Sequence, residues 1–162
     1  LRLVGSEMCI RDRSFQYRQS KGRRVVVDGG VEVIRTLYQR GYRLGIISNL
    51  IGETEVPDWL EEDGLDKYFS SVVLSSVCHL RKPCAEIYRI ASQELGVDLA
   101  DCVSVADNVK RDLSGAIDAG VGCNIIFRSP EKKHPVEITG EIRPDAVISE
   151  FTELLDLLPP LN

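Results

Sequence analysis

The sequence predicts an α/β protein in which a parallel β-sheet has helices on both faces, a three-layer α/β/α arrangement. Short apolar stretches rich in β-branched residues alternate along the chain with amphipathic stretches of about ten residues. Short polar loops join these stretches, and glycines follow several of the amphipathic ones, as is typical of helix ends. This alternation favours parallel strands, because each helix returns the chain to the edge at which the next strand starts.

The sequence predicts six strands and five helices. It also predicts a loop over 75–83 and a polar surface segment over 128–143. The predicted strands are apolar runs of three to seven residues at 25–27, 42–48, 72–74, 103–106, 123–127 and 146–148. The predicted helices are amphipathic stretches at 31–38, 54–63, 85–95, 109–117 and 151–158. In the fourth helix we expect Val109, Leu113, Ala116 and Ile117 to form one apolar stripe.

Residues 1–22 differ from the rest of the chain. Residues 1–13 show neither helical nor strand periodicity over a useful length. Val4 to Asp12 resembles translated sequencing-adapter sequence, and residues 14–22 are polar and basic, as in a linker. We therefore predict a non-native N-terminal segment at 1–22 and one domain at 23–162. On this hypothesis the natural N-terminal part of the protein has been replaced.

The composition is that of a globular domain. The 162 residues are 43% hydrophobic and 28% charged, and the formal net charge is −5. The negative charge argues against nucleic acid or an anionic membrane as the main partner. Five cysteines, an odd number scattered along the chain, are typical of reduced thiols, so we expect a cytoplasmic protein.

Polar side chains follow three of the predicted strands. Ser48 and Asn49 follow one strand, Lys82 lies in the loop after the next, and Asp107 and Asp112 follow a third. If the strands ending at positions 48, 74, 106 and 127 lie parallel in one sheet, these groups meet at one edge. A hydroxyl, an ammonium and two carboxylates at that edge would suit a phosphate group and a hard divalent cation such as Mg²⁺.

Each of these residues also has a simpler interpretation. Asp107 could begin an Asp-Asn turn before a solvated helix, with no metal involved. Ser48 could be a helix cap or turn residue, and Lys82 a solvated surface lysine. The order of the residues along the chain and their common position at strand ends favour a functional site.

Three stretches together resemble the haloacid dehalogenase-like hydrolases. Leu44-Gly-Ile-Ile-Ser-Asn49 resembles the second motif of that family, a hydrophobic strand that ends in Ser or Thr. Arg81-Lys-Pro83 is similar to the third motif, and Ala106-Asp-Asn-Val-Lys-Arg-Asp112 with the following Leu-Ser-Gly-Ala-Ile-Asp-Ala-Gly120 to the fourth. The resemblance covers residues 24–158 and implies a Rossmann-like core.

The resemblance implies a Mg²⁺-dependent phosphatase that acts on a small phosphate ester through an aspartyl-phosphate. Ser48 and Lys82 would be catalytic, and both would bind the substrate together with Asn49. Asp107 would ligate Mg²⁺. Asp112 would hold the water shell of the metal or pair with Lys82. No nucleic acid, membrane or further cofactor is implied.

One departure from the family pattern is that its first motif, which supplies the nucleophile, is missing. Asp28 follows a short apolar run, but Gly30 stands where the second Asp of that motif belongs, so we predict a helix cap at Asp28. The resemblance also implies a central first strand, which we expect to be absent. Because the nucleophile is missing, we expect the chain as given to be inactive. The alternatives are a non-catalytic module of the same fold that binds a phosphorylated ligand or a partner and, more remotely, a response-regulator receiver.

Overall fold

The computed structural model describes residues 26–129 and 142–161. Helices and strands alternate along both parts of the chain, and three short 3₁₀ turns lie between them. In chain order the elements are α1 (Gly30–Gln39), β1 (Leu44–Ser48), α2 (Glu55–Glu62), β2 (Phe69–Leu74), α3 (Ser75–Cys78), α4 (Ala85–Leu95), β3 (Val103–Ala106), a π-helical turn (Val109–Leu113) that continues into α5 (Ser114–Ala119), β4 (Cys123–Phe127), β5 (Ala146–Ile148) and α6 (Leu154–Leu157). The predicted α/β architecture is confirmed.

The strands are parallel, but they form two ladders where the sequence predicted one sheet. β1 pairs with β2, and β3, β4 and β5 pair in that order. The expectation of a single sheet was therefore wrong for the described residues. The physical reason is that no described strand lies between β1 and β3, where the family resemblance implies the first strand. Val26 and Val27, from the predicted strand at 25–27, lie outside any strand, and residue 25 is outside the described ranges.

The start of α1 corrects the interpretation of Asp28. The N-cap residue is Gly29, whose φ of 73° lies in the left-handed region, and no side chain caps this helix. Asp28 is exposed one position earlier. A Cβ on Gly29 would come within 2.6 Å of Thr152 Cγ2, so glycine is required here both by conformation and by contact.

The predicted loop at 75–83 contains one helical turn, α3, directly after β2. Buried Ser75 explains it, because its hydroxyl donates to the carbonyl oxygen of Leu50 and accepts from the amide of Leu50, both at 3.0 Å. Ser76 makes a similar bond to the carbonyl oxygen of Gly52, at 2.8 Å. These bonds hold the segment after β2 against the segment after β1, a tertiary contact that no local sequence pattern encodes.

The helix after β3 buries a face made of small residues. Val109, Leu113 and Ala116 are buried as predicted, but Ile117 is 39% exposed, so its place in the stripe was wrong. Instead, Gly115, Ala116 and Ala119 form the buried face of α5. Ala116 and Ala119 pack against α4 in one core cluster with Ile87, Tyr88 and Ala91, because small side chains let the two helices approach closely.

A second cluster packs α1 and α6 against β4 and β5 through Val33, Leu37, Ile125, Ile148 and Leu154. The helices thus cover the parallel strands with apolar faces, as expected of a layered α/β domain. Within residues 26–129 and 142–161, none of the helices combines the length and the hydrophobicity that a membrane crossing requires.

Candidate functional site

A cavity of about 380 Å³ opens beside the carboxyl ends of β3 and β4. One part of its wall is apolar and the other is charged. Its lining residues among those described are Val27, Val105, Ala106, Phe127 and Phe151 on the apolar part and Lys82, Asp107, Arg111, Asp112 and Ser129 on the polar part. The volume suits a small ligand held by a few polar groups, and the position is that at which parallel α/β sheets bind ligands.

Lys82 connects the end of β1 to the segment after β3. Its ammonium group donates to the carbonyl oxygen of Ile47 at 2.8 Å and forms an ion pair with Asp112 Oδ1 at 2.7 Å. The Lys82 side chain is only 14% exposed, so both contacts lie largely out of water. The ammonium thus links β1 of one ladder to the segment that follows β3 of the other. Among the described residues, no backbone hydrogen bond joins the two ladders.

Asn49 fixes the backbone that presents Lys82. Its side-chain Nδ2 donates to the carbonyl oxygen of Lys82 at 3.1 Å, and its Oδ1 accepts from the amide of Lys82 at 2.9 Å. Both ends of the Asn49 amide are therefore engaged by one residue, which holds the loop against the end of β1. Ser48 is the last residue of β1, beside Ile47. Neither Ser48 nor Asn49 is among the described residues that line the cavity.

Asp112 is buried, with 3% of its surface exposed, and both of its carboxylate oxygens contact cations. Arg111 donates from Nε to Oδ1 at 3.2 Å and from Nη2 to Oδ2 at 2.9 Å, while Lys82 binds Oδ1. The hydroxyl of Tyr88 donates to the backbone carbonyl oxygen of Asp112 at 2.8 Å. The arrangement holds the carboxylate ionised between two fixed positive charges.

The environment of Asp112 shifts the pKa of its carboxyl in a predictable direction. Burial by itself would raise the pKa, but the hydrogen bonds from Arg111 and Lys82 outweigh burial and hold the pKa below its ordinary value. A carboxyl with a pKa lower in the folded than in the unfolded state stabilises the fold above its unfolded pKa, about 3.9 for Asp. That stabilisation is lost as the pH falls through the folded pKa.

We therefore expect Asp112→Asn to lower the free energy of unfolding at neutral pH by about 2 kcal/mol, and this difference to shrink below about pH 4. The measurement is urea unfolding of the wild type and the variant over a range of pH. Asp118→Asn, at an exposed position of α5, is the matched control and should track the wild type. A difference for Asp112→Asn that stays constant down to the most acidic pH would contradict the lowered pKa.

Asp107 lies directly after β3 and lines the cavity, with its side chain 45% exposed. Its Oδ1 is 3.9 Å from Arg111 Nη2, beyond hydrogen-bond distance. Among the described residues no three His, Cys, Asp or Glu side chains group closely enough to hold a metal ion. Because Asp112 is already bound by two cations, Asp107 and Asp112 do not by themselves make a complete Mg²⁺ site, which needs several free oxygen ligands.

Two features of the site were not recognised from the sequence. Gly115 lies where a Cβ would come within 2.6 Å of the carbonyl oxygen of Pro83 and 2.9 Å of Tyr88 Cε2, so α5 touches the loop that presents Lys82. Arg111 is a part of the cavity wall that we did not single out, although it directly precedes Asp112. The sequence did contain a sign of this contact at Gly115. Glycine destabilises a helix interior, so a glycine within the predicted helix at 109–117 indicates that another part of the chain comes close there.

Comparison with known proteins identifies the family of this chain. Residues 10–126 match the sequence model of the haloacid dehalogenase-like hydrolase family, which is well over half of the 162 residues. The match begins inside the segment that we predict to be non-native, so the boundary at residue 22 stays a prediction.

Individual relatives are distant and longer than this chain. A stretch of 131 residues is 28% identical to the pyrophosphatase PpaX of Halalkalibacterium halodurans, covering 81% of this chain and 59% of that protein. A stretch of 148 residues is 24% identical to the N-acylneuraminate-9-phosphatase of Mus musculus, covering 91% and 58%. The solved structure of the hydrolase YfnB of Bacillus subtilis, bound to magnesium, superposes with a TM-score of 0.69 at 22% identity, covering 82% and 55%.

The chain thus spans 55–59% of the length of these three proteins. The likeness in structure shows the same fold, and the family match spans the residues that build the cavity wall up to position 126. The chain belongs to the haloacid dehalogenase-like hydrolases.

Proposed function

We propose that this chain is the core of a phosphatase that acts on small phosphate esters and binds the phosphoryl group at Lys82. The observation that supports this most strongly is the fixed position of the Lys82 ammonium. An ammonium has three N–H donors, and the bonds to Ile47 and Asp112 use two of them. The third donor is available to a phosphoryl oxygen in the cavity that Lys82 lines.

The charge at this position matches the needs of phosphoryl transfer. Catalysis of that reaction consists mainly of positioning the group and stabilising the charge on its oxygens. Lys82 is held before any ligand arrives by Asn49 on its backbone and by Asp112 on its ammonium. In this proposal Asp112 positions Lys82, and Asn49 positions the loop, whereas Ser48 would approach the phosphoryl group from the end of β1.

Asp107 is the cavity carboxylate that we assign to Mg²⁺. The ion would neutralise negative charge on the phosphoryl group, and water and phosphate oxygens would supply further ligands, as is usual for Mg²⁺. An aspartyl-phosphate also needs a carboxylate nucleophile. Asp112 is neutralised by two cations, and Asp28 does not line the cavity within the described part of the chain. We therefore assign no nucleophile, and we expect the chain as given to bind phosphate with negligible turnover.

The names of the two relatives support hydrolysis of a phosphoryl group, since one is an N-acylneuraminate-9-phosphatase, which implies a phosphate ester, and the other a pyrophosphatase, which implies a phosphoanhydride. The second candidate is a non-catalytic module that binds a phosphorylated ligand. The feature that favours this candidate is the lack of an assignable nucleophile among the described cavity residues. The two candidates share the phosphate site at Lys82 and differ in turnover.

The test is calorimetric titration of the 162-residue chain with orthophosphate, together with hydrolysis of p-nitrophenyl phosphate in the presence of MgCl₂. We expect Lys82→Met to weaken orthophosphate binding by about tenfold or more, because a hydrogen bond between charged groups is lost. Lys110→Met removes a nearby exposed ammonium and should bind like the wild type. Equal affinities of all three proteins would contradict the proposed site. Turnover that Asp28→Asn abolishes would show that Asp28 acts as the nucleophile.

A further inference from the structure

Arg111 forms a second positive group on the cavity wall. It lies in the π-helical turn after β3, lines the cavity, and has a side chain that is 45% exposed. In the fourth motif of the family pattern, roles belong to Asp107 and Asp112 and none to position 111. The pairing of Arg111 with Asp112 accounts for only part of its guanidinium group.

The Arg111 side chain is held in place before a ligand binds. Its Nε and Nη2 form two parallel hydrogen bonds to the buried Asp112 carboxylate, at 3.2 and 2.9 Å. Its backbone amide donates to Asn108 Oδ1 at 2.8 Å, which fixes the turn that bears it. A ligand that binds Arg111 would therefore order little additional structure, and a pre-organised group binds more tightly for that reason.

The two bonds to Asp112 use one edge of the guanidinium group. Nη1 forms no hydrogen bond within residues 26–129 and 142–161, so its two N–H donors can bind a ligand. The charges of the polar wall are balanced, because the two cations, Lys82 and Arg111, face the carboxylates of Asp112 and Asp107, the latter in an ion pair with Arg111 Nη2 at 3.9 Å. The attraction for a ligand anion therefore rests on the unused N–H donors of Nη1.

The two cations are close neighbours. Lys82 Nζ and Arg111 Nε contact the same oxygen, Asp112 Oδ1, at 2.7 and 3.2 Å, so their separation cannot exceed the sum of these distances. Two anionic groups that are a few atoms apart in one molecule could each meet one of the cations. A planar guanidinium fork is suited to a carboxylate or a second phosphate.

From this geometry we infer that Arg111 determines substrate specificity by binding a second anionic group, a carboxylate or phosphate close to the scissile phosphate. The inference rests on the proposed function, because it assumes that the phosphoryl group lies at Lys82. Arg111 then selects phosphate esters whose leaving group is itself anionic over those whose leaving group is neutral.

Two phosphonates that cannot be hydrolysed separate the roles of Lys82 and Arg111. Methylphosphonate presents the phosphoryl-like group alone, and phosphonoacetate adds a carboxylate to the same carbon. Both are titrated into the 162-residue chain in metal-free buffer, so that chelation does not contribute. We expect the wild type to bind phosphonoacetate about tenfold more tightly than methylphosphonate, and Arg111→Gln to reduce this ratio to near one.

The ratio of the two affinities is measured on one protein sample, so partial unfolding of a variant does not change it. Arg89→Gln is the matched control, because Arg89 is an exposed arginine that pairs with Glu86 on α4, outside the cavity lining. Arg89→Gln should keep the wild-type ratio, and Arg111→Lys should keep part of it.

An unchanged ratio in Arg111→Gln would overturn this inference and leave the phosphate site at Lys82 intact. Equal weakening of both ligands by Arg111→Gln would also overturn it, because Arg111 would then bind the phosphoryl group itself. If methylphosphonate binding does not depend on Lys82, the proposed function fails, and this inference fails with it.

Discussion

Replacing Lys82 with methionine should lower the free energy of unfolding by about 2 kcal/mol, because a largely buried charged hydrogen bond is lost. Methionine keeps much of the apolar stem, so the change removes the ammonium with little loss of packing volume. Without it, the carbonyl oxygen of Ile47 loses a donor, and the Asp112 carboxylate keeps only Arg111. Denaturant unfolding at neutral pH measures the loss.

A double-mutant cycle with Asp112→Asn separates this ion pair from other effects. Since Lys82 and Asp112 contact each other directly, we expect a coupling energy of about 1–2 kcal/mol. Lys110→Met paired with Asp112→Asn is the control cycle, and it should show much weaker coupling because Lys110 is exposed. Additive effects of Lys82→Met and Asp112→Asn would mean that the pair does not stabilise the fold.

Gly115→Ala should also destabilise the protein, by about 2 kcal/mol or more, although alanine is the better helix former by about 1 kcal/mol. The new Cβ would lie 2.6 Å from the carbonyl oxygen of Pro83 and 2.8 Å from its Cα, and a backbone clash cannot be relieved by a side-chain rotation. Either α5 or the loop at Pro83 must move. We therefore expect weaker orthophosphate binding as well, because Lys82 precedes Pro83.

Thermal unfolding and calorimetry on the same sample measure both effects of Gly115→Ala. Asp118→Ala introduces the same residue at an exposed position of α5 and should be neutral or slightly stabilising. A Gly115→Ala protein that is as stable as the wild type would show that the contact between α5 and the Pro83 loop is loose.

Local patterns predicted most of the secondary structure. In these helices and strands the hydrophobic periodicity matches the element, and a local residue such as glycine marks its end. Helix α4 begins at Ala85 and ends at Leu95 as predicted, and Gly96 follows it with a φ of 63°. The strands β3, β4 and β5 also have the predicted bounds. In these elements the local preference and the tertiary packing agree.

The sequence failed where a long-range contact decided the structure. The helical turn α3 depends on Ser75 bonding to Leu50, 25 positions away along the chain. The division into two ladders depends on what lies between β1 and β3, and the sequence did not reveal that Val26 and Val27 would lie outside any strand. The predicted cap at Asp28 was wrong because the left-handed Gly29 supplies the cap position.

For the candidate site, the position of polar residues after strands predicted that Ser48, Asn49, Lys82, Asp107 and Asp112 would meet at one edge. Lys82, Asp107 and Asp112 line the cavity, whereas Ser48 and Asn49 are not among its described lining residues. Two relations could not be seen in the sequence. Asn49 acts on the backbone of Lys82, and Arg111 binds Asp112 through two nitrogens; both depend on side-chain directions that only the folded chain sets. Whether these residues perform the assigned roles stays a prediction.

A crystal structure of the chain grown with sodium tungstate would test most directly whether the phosphoryl group binds at Lys82. Tungstate has the shape and charge of phosphate, and its anomalous scattering locates it without ambiguity. We predict one tungstate in the cavity, with an oxygen at about 2.8 Å from Lys82 Nζ, the ordinary length of a charged hydrogen bond. Tungstate bound elsewhere, with Lys82 contacting only Ile47 and Asp112, would contradict the proposed phosphate site.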